Sequence, residues 1–253
     1  MTMTKKARAT WMRPYFVAKG APNLLYYVVY GAFSPPFELP VLREDGPRTQ
    51  GFEPLVVAPG TEDFDEWPTV PYLGEQLAAH PDGIAVEVAK ATNAMVLRRQ
   101  HDDVAELLDL RGALSIVTSA FGWGGCAVVD PLAARWWSRK EWTQTFVDRQ
   151  EFKPLDHVAV FVSGDWVHTR GMIKFGRPDL SIRGVPTGTD RITAAVALVH
   201  RFIDFLARGG VFDLTRQIDA SGYPSMPVQL HGGPEAYDDP DFNNEWVEIM
   251  GFR

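Results

Sequence analysis

Short apolar runs rich in β-branched and aromatic residues predict strands along most of the chain. The run Leu24–Tyr30 is apolar throughout, which is typical of a strand buried on both faces. A strand pair is predicted at Ile84–Val88 and Ala94–Leu97. The other predicted strands are Leu55–Val57, Ala127–Val129, His157–Val162, Trp166–Ile173, Asp179–Arg183 and Met226–Leu230.

Apolar residues at helical spacing predict three helices. These are expected at Asp102–Phe121, Pro131–Arg149 and Thr189–Leu206. The first would be capped by its leading aspartates, and the second by Asp130 with a proline in its first turn. Interleaved elements with a hairpin and short spacings predict an α+β fold, with a mixed, mostly antiparallel sheet packed against three helices.

The predicted organisation is a single α+β domain at 24–232, preceded by a loose arm at 1–23 and followed by an acidic tail at 233–253. Prolines interrupt residues 31–71, so this proline-rich insertion can hold only short strands. The tail carries the acidic run Asp238–Asp241, which lacks the ligand spacing of a calcium loop. Two interpretations of this run remain open. It is either a solvated tail or a site that binds a cation or a basic partner.

Composition and charge narrow the class of protein. The 253 residues are 45% hydrophobic and 12% aromatic, which indicates a folded chain. No apolar run reaches the roughly 18 residues of a membrane span, and the single Cys126 indicates a reducing, cytoplasmic setting. The net charge of −7 argues against nucleic acid as a partner and fits a basic protein partner. The oligomeric state is left open.

The common catalytic motifs do not occur in the sequence. It contains no phosphate-binding loop, dinucleotide fingerprint, His-Glu-x-x-His motif or Gly-x-Ser-x-Gly elbow. Cys126, between a glycine and an apolar strand, is expected to be a small buried side chain and not a nucleophile. We therefore expect no cofactor and no metal ion, and favour a protein that is not an enzyme.

A predicted β-hairpin supplies the best candidate site. A two-residue turn at Gly164-Asp165 would pair Phe161 with His168 and Ala159 with Arg170. Because side chains alternate between faces, the predicted core face carries Val158, Val160, Val162, Val167, Thr169 and Ile173. The opposite face carries His157, Phe161, Trp166, His168 and Arg170, with His157 paired to Met172.

Three interpretations of this aromatic and basic face remain open. It is a packed or solvated sheet face, a recognition surface or a catalytic site. In a recognition surface, Phe161 and Trp166 would anchor a ligand while Arg170 binds a carboxylate or phosphate. In a catalytic site, His168 or His157 would transfer a proton. The absence of a carboxylate on this face to orient His168 weakens the catalytic interpretation.

A second candidate lies on the predicted helix Pro131–Arg149. Trp137 is displaced by about 100° from the apolar stripe that contains Trp136. It either packs under the proline-rich insertion, which we favour, or is exposed as an interface anchor beside Arg139.

The segment His168–Ile182 resembles the Thr-x-Gly-Met…Phe-Gly-x-Pro-Glu signature of the bacterial family known as domain of unknown function 4261. The matching residues are Thr169, Gly171, Met172, Phe175, Gly176 and Pro178, while Asp179 replaces the usual glutamate. The resemblance implies an α+β architecture and a bacterial cytoplasmic setting. Such domains resemble those found beside secreted toxin systems, which implies an immunity or adaptor role by analogy.

The leading functional hypothesis is a non-enzymatic immunity or adaptor protein that caps a basic partner such as a toxin domain. The alternatives are an enzyme acting on a small anionic substrate through His168 and Arg170, and a small-molecule sensor. Arg170 faces no directly opposed acid, so its replacement should weaken function more than stability. The competing interpretation pairs Arg170 with Asp179 or Asp156.

Overall fold

The computed structural model describes residues 11–18, 22–39, 49, 51–149, 151–186, 188–220, 222, 225–232 and 241–252. Within these residues, ten strands form two mostly antiparallel five-stranded sheets, accompanied by six α-helices. The predicted α+β class is confirmed, although the strands are divided between two sheets. The sequence predicted one domain, whereas the chain divides into two compact units.

The first unit contains Leu24–His101 and Glu106–Phe152. Its strands are β1 (Asn23–Gly31), β2 (Leu55–Val57), β3 (Asn93–His101), β4 (Gly125–Asp130) and β5 (Arg135–Ser138), in the order β2-β3-β1-β4-β5. Its helices are α1 (Glu62–Thr69), α2 (Pro71–Ala78), α3 (Ile84–Ala89), α4 (Leu108–Gly122) and α5 (Arg139–Trp142), and a π-helical turn (Thr143–Val147) follows α5. The predicted apolar strand is the buried central strand β1.

The predicted strand Ile84–Val88 is wrong, because these residues form α3. Ile84 and Val88 are buried one helical turn apart, a spacing that suits a helix as well as a strand. β3 therefore pairs with β2, placing Leu55 opposite Val96.

The predicted helix Pro131–Arg149 is also wrong over most of its length. Asp130 accepts a hydrogen bond from the backbone N–H of Ala133 (3.1 Å), as an N-cap would. The chain then reverses through Ala134, whose φ is 46°, and β5 pairs back onto β4. The helix cap lies at Ser138, which forms a capping box with Glu141.

The first predicted helix starts later than expected. Asp102 and Asp103 do not cap it, because α4 begins at Leu108. Its predicted apolar stripe is confirmed, and the residues Leu107, Leu110, Leu114, Val117 and Phe121 are all buried. The predicted glycine stop is also confirmed, since α4 ends at Gly122.

The second unit contains Met12–Asn23, Asp102–Ala105 and Lys153–Arg253. Its strands are β6 (Ala159–Ser163), β7 (Trp166–Arg170), β8 (Asp179–Ile182), β9 (Val228–His231) and β10 (Trp246–Ile249), in the order β6-β7-β8-β10-β9. Two 3₁₀ turns (Pro154–Asp156 and Met172–Phe175) flank the β6–β7 hairpin, and helix α6 (Thr189–Ala207) packs against β7. None of the helices in the described ranges is long and apolar enough to cross a membrane.

Both predicted terminal extensions contain residues that belong to the second unit. Arg13, in the predicted loose arm, is 3% exposed. β10, in the predicted tail, lies inside the sheet between β8 and β9, with Val247 and Ile249 buried. A four-residue strand that follows an acidic run gives too weak a periodic signal to be distinguished from a tail. Of the acidic run Asp238–Asp241, only Asp241 lies within the described residues.

The predicted hairpin register is confirmed, with Phe161 opposite His168 and Ala159 opposite Arg170. Gly164 adopts a φ of 62° at the first central turn position, which favours glycine. The predicted burial of Val160 and Val162 is wrong: Val160 is half-buried and Val162 is 51% exposed. Both lie on β6, which is an edge strand with a neighbour on one side only.

The hairpin is also shorter than predicted. β7 ends at Arg170 because Gly171, with a φ of 113°, turns the chain into the 3₁₀ turn that contains Met172. The predicted pairing of His157 with Met172 is therefore wrong, and His157 lies before β6.

Candidate functional site

Aromatic side chains of the second unit enclose His168. Its ring centroid lies 3.9 Å from that of Trp166 and 5.2 Å from that of Phe161, both in stacked arrangements. Phe242 packs edge-on at 5.5 Å, and His168 is only 5% exposed. The guanidinium of Arg183 lies over the Trp166 ring, 3.8 Å from its centroid, in a cation–π arrangement. This arrangement favours the packed-face interpretation, because a substrate needs access to His168 before a proton can be transferred.

His157 lies apart from this face and is 2% exposed. Its ring packs edge-on against Phe175 at 6.1 Å, and its carbonyl oxygen accepts a hydrogen bond from Lys174 Nζ (2.8 Å). Burial lowers the pKa of His157 well below its usual value, and the positive charge of Lys174 lowers it further. His157 is therefore neutral at physiological pH.

Arg170 is half-buried and faces Ala159 across the hairpin, as predicted. A carboxylate nevertheless lies within its electrostatic reach, namely that of Asp179. Burial dominates there and raises the pKa of Asp179 to about 6, while its hydrogen bonds and then the charge of Arg170 act in the opposite direction. This proximity supports the interpretation in which Arg170 braces the fold beside Asp179.

The residues that resemble the family signature hold a buried turn together. Thr169 donates its hydroxyl hydrogen to Asp179 Oδ1 (2.8 Å) and accepts a hydrogen bond from the backbone N–H of Leu180 (2.8 Å). The N–H of Met172 also donates to Asp179 Oδ1 (3.3 Å), and Asn244 Nδ2 donates to Oδ2 (3.4 Å). Within His168–Ile182, which we call the signature segment, these side chains therefore have a structural role.

Sequence analysis missed a buried ionic network in the second unit. The carboxylate of Asp103 binds Arg13 through Oδ1 and Arg177 through Oδ2, the latter at 2.8 Å. Both arginines are 3% exposed. Arg177 also donates to the backbone oxygens of Val17, Gly176, Gly209 and Gly210. All three nitrogens of its guanidinium are engaged within the protein, so Arg177 is a poor candidate for binding an anionic ligand.

The interpretation of Trp137 as an exposed anchor is wrong. Trp137 is 1% exposed on β5, where Trp142 (6.1 Å) and Phe146 (5.1 Å) pack against it edge-on. Arg139 donates hydrogen bonds to the carbonyl oxygens of Phe121 and Gly125, the second at 2.9 Å. A strand replaces the helix on which the prediction rested, so Trp137 is buried, whereas Arg139 is exposed at the start of α5.

His80, Asp82 and Glu141 form the one described group whose ligand atoms lie close enough together to hold a metal ion. His80 Nδ1 accepts the backbone N–H of Asp82 (3.3 Å), which leaves the ring proton on Nε2, where it reaches Glu141 (3.0 Å). A metal at Nε2 would need that nitrogen unprotonated. Lys140 Nζ also lies 3.6 Å from Asp82. These contacts favour a structural role for the group, in which its polar side chains connect the α2–α3 loop to α5.

Cys126 is half-buried, whereas full burial was expected. Its Sγ donates to the carbonyl oxygen of Tyr30 (3.2 Å). Burial, followed by the negative charge of Glu87, raises the pKa of Cys126 to about 11. The thiol is therefore protonated at physiological pH, which supports the prediction that it is not a nucleophile.

One stretch of the first unit has an excess of acidic side chains. Residues 51–75, which we call the acidic segment, contain six acidic residues and no lysine, arginine or histidine. Four of the six lie on α1, and these are Glu62, Asp63, Asp65 and Glu66. Burial, followed by the charges of Glu62 and Asp63, raises the pKa of Glu66, which indicates like-charge repulsion on this helix.

Aromatic contacts attach α1 to the sheet, and Asp63 also accepts a hydrogen bond from the Tyr26 hydroxyl (2.5 Å). The hydroxyl of Tyr30 donates to the carbonyl oxygen of Phe64 (2.6 Å), and the two rings pack at 5.2 Å. The ring of Tyr26 packs edge-on against Trp67 at 5.6 Å. No residue of α1 is fully buried. The acidic segment also exposes two large apolar side chains, Leu55 (58%) and Tyr72 (48%).

Comparison of the chain with models of protein families, with curated proteins and with solved structures finds no match. The resemblance of the signature segment therefore stays a prediction.

Proposed function

We propose that the protein binds a basic protein partner through the acidic segment. The observation that carries this proposal is that residues 51–75 contain six acidic residues and no lysine, arginine or histidine, with Arg98 of β3 as a nearby base over the Tyr26 ring. Buried ion pairs neutralise charge elsewhere, as at Asp103, but the α1 carboxylates remain at least partly in water. A surface of this kind attracts a lysine- and arginine-rich surface and accelerates its encounter.

The exposed apolar residues give such a surface a means of holding its partner. Interfaces combine charged rims with aromatic and aliphatic contacts, and tyrosine is enriched among the residues that dominate binding. Tyr72 and Leu55 are the large apolar side chains that the acidic segment exposes. Charge would govern the association rate, and these side chains would slow dissociation.

In its more specific form, the proposal is that this protein is an immunity or adaptor protein of the bacterial cytoplasm that caps a basic toxin domain. The resemblance of the signature segment supports it by analogy. The enzymatic alternative has less support, since aromatic rings cover His168 and the pKa of His157 lies well below physiological pH.

The test compares two charge reversals that raise the net charge equally. Glu62→Lys/Glu66→Lys alters the acidic segment, and Glu151→Lys/Asp165→Lys alters exposed acids outside it. Fluorescence anisotropy with a labelled lysine- and arginine-rich peptide should show about tenfold weaker binding for the first variant and about twofold or less for the control. Binding of the wild type should weaken as salt rises, since the screening length falls from about 10 Å at 0.1 M to about 3 Å at 1 M.

Equal losses in the two variants would show that net charge alone attracts the peptide and would overturn the assignment to the acidic segment. Affinity that does not change with salt would reject electrostatic capture. Circular dichroism melts of all three proteins verify that the variants are folded.

A further inference from the structure

The second unit contains an open cleft of about 590 Å³. This volume lies within the roughly 300–1,000 Å³ of small-molecule sites. Its walls are mainly apolar and include Ile173, Leu206, Phe212, Leu214, Leu230 and Val247. Among the described residues, Leu214 is 41% exposed and Leu230 is 43% exposed. Part of the apolar lining of the cleft therefore faces solvent. An apolar molecule would remove that surface from water.

The polar groups of the cleft are mainly acceptors. Arg177 lines it, but its guanidinium is engaged by Asp103 and by backbone oxygens. Asn244 is 4% exposed, and its Nδ2 donates to the carbonyl oxygen of Arg177 (2.7 Å). Glu245 also lines the cleft and is half-buried. Such a lining disfavours an anion and suits a molecule that donates hydrogen bonds.

A second carboxylate strengthens the negative character of the cleft. Asp213 accepts from the N–H and hydroxyl of Thr215 (3.1 and 2.6 Å) and lies 3.3 Å from Arg216. Arg216 is 81% exposed, so solvent screens this pair. The cleft thus has an apolar interior and acceptor groups on its lining.

We propose that this cleft binds a small apolar amine. Its hydrocarbon body would fill the apolar interior, and its ammonium group would bind the carboxylate of Glu245. A charge-assisted hydrogen bond to a carboxylate is stronger than a neutral one. The amine should therefore bind with higher affinity than a neutral hydrogen-bond donor of the same shape. This site is separate from the acidic segment, and neither proposal depends on the other.

Three probes of equal length and different head groups test the proposal on the full chain. These are 4-phenylbutylamine, 4-phenylbutanol and 4-phenylbutanoate, titrated in two-dimensional ¹H–¹⁵N NMR spectra. The amine should bind about tenfold more tightly than the alcohol, with shifts at the backbone amides of Leu206 and Val247, and the carboxylate should bind most weakly.

Two variants locate the site. Glu245→Gln should weaken amine binding about tenfold and leave alcohol binding within about twofold, because only the ammonium uses the negative charge. Leu230→Arg, at an exposed position, should abolish amine binding by placing a cation in the cleft. Asp165→Asn, in the hairpin turn, is the matched control and should change nothing.

Three results would each overturn the proposal. One is no saturable binding of any probe. Another is carboxylate binding as tight as that of the amine. The third is an unchanged amine affinity in Glu245→Gln. In each case the peptide-binding result for the acidic segment stands independently.

Discussion

In the signature segment of the second unit, charged and polar side chains are buried and bonded to one another. In the acidic segment of the first unit, they extend into water. Lys174, Arg177 and Asp179 are each at most 3% exposed, whereas Glu62 and Asp65 are exposed. The residues of the signature segment therefore serve packing, whereas exposed charge lies in a stretch without a recognised motif.

The energetics of the two regions differ in the same way. A buried charge destabilises the fold unless it is paired and hydrogen-bonded, so each member of the Arg13–Asp103–Arg177 network depends on the others. Glu62 on α1 is exposed to water, so its replacement should change stability little. Substitutions in the two regions should therefore have opposite consequences for stability and for binding.

The largest expected effect follows from breaking the buried network. Asp103→Asn leaves two buried guanidinium groups without their shared carboxylate, and should lower the free energy of unfolding by about 3–5 kcal/mol. Urea titration of the purified protein measures this loss. Asp204→Asn is the control, because Asp204 pairs with Arg208 at the surface and its loss should cost about 1 kcal/mol or less. Similar losses in the free energy of unfolding for the two variants would contradict the expected difference between buried and exposed charges.

Sequence patterns predicted the elements that carry strong periodicity. Leu24–Tyr30, the stripe ending at Phe121 and the Gly164-Asp165 turn each contain enough apolar or turn residues to specify one structure. Ile84–Val88 and Trp136-Trp137 are short runs that suit two structures, and their tertiary neighbours decide between them.

The candidate site was predictable only where it depends on local register. The turn specified the pairing of Phe161 with His168, but Phe242, which covers that pair, is distant in sequence. The partners of Asp103 are separated from it by 90 and 74 positions, and no local pattern encodes such contacts. The charge of residues 51–75 could be counted from the sequence, but their prolines directed attention to loop structure.

A smaller effect concerns the pH dependence of stability. Asp179 has a folded pKa of about 6, raised by burial from an ordinary value of 3.8. The folded state therefore holds the proton more tightly, and this contribution to stability is lost as the pH rises from about 4 to about 6. Between pH 4 and pH 7, the free energy of unfolding of the wild type should fall by about 2–3 kcal/mol relative to that of Asp179→Asn.

Urea titrations of the two proteins at several pH values test this expectation. The depressed pKa of His157 acts in the opposite direction, destabilising the fold at low pH, but it is common to both proteins and cancels in their difference. Parallel stability curves would show that the buried carboxyl of Asp179 does not titrate differently in the folded state.

The smallest effect distinguishes the two interpretations of Arg170. Its charge favours the ionised form of Asp179, so Arg170→Ala should raise the pKa of Asp179 further. The variant should lose about 1 kcal/mol of stability at pH 7 and less at pH 4, where Asp179 is protonated in both proteins. In an Asp179→Asn background the loss at pH 7 should shrink, which a double-mutant cycle measures directly.

Binding of the basic peptide provides the second measurement for Arg170→Ala. Because Arg170 lies outside the acidic segment, the peptide affinity should stay within about twofold of the wild type. The opposite pattern has unchanged stability at both pH values and about tenfold weaker binding. That result would make the hairpin face the recognition surface and would remove the contrast between the two regions. A pH-dependent stability loss with intact binding would instead place Arg170 with Asp179 in the structural group of the signature segment.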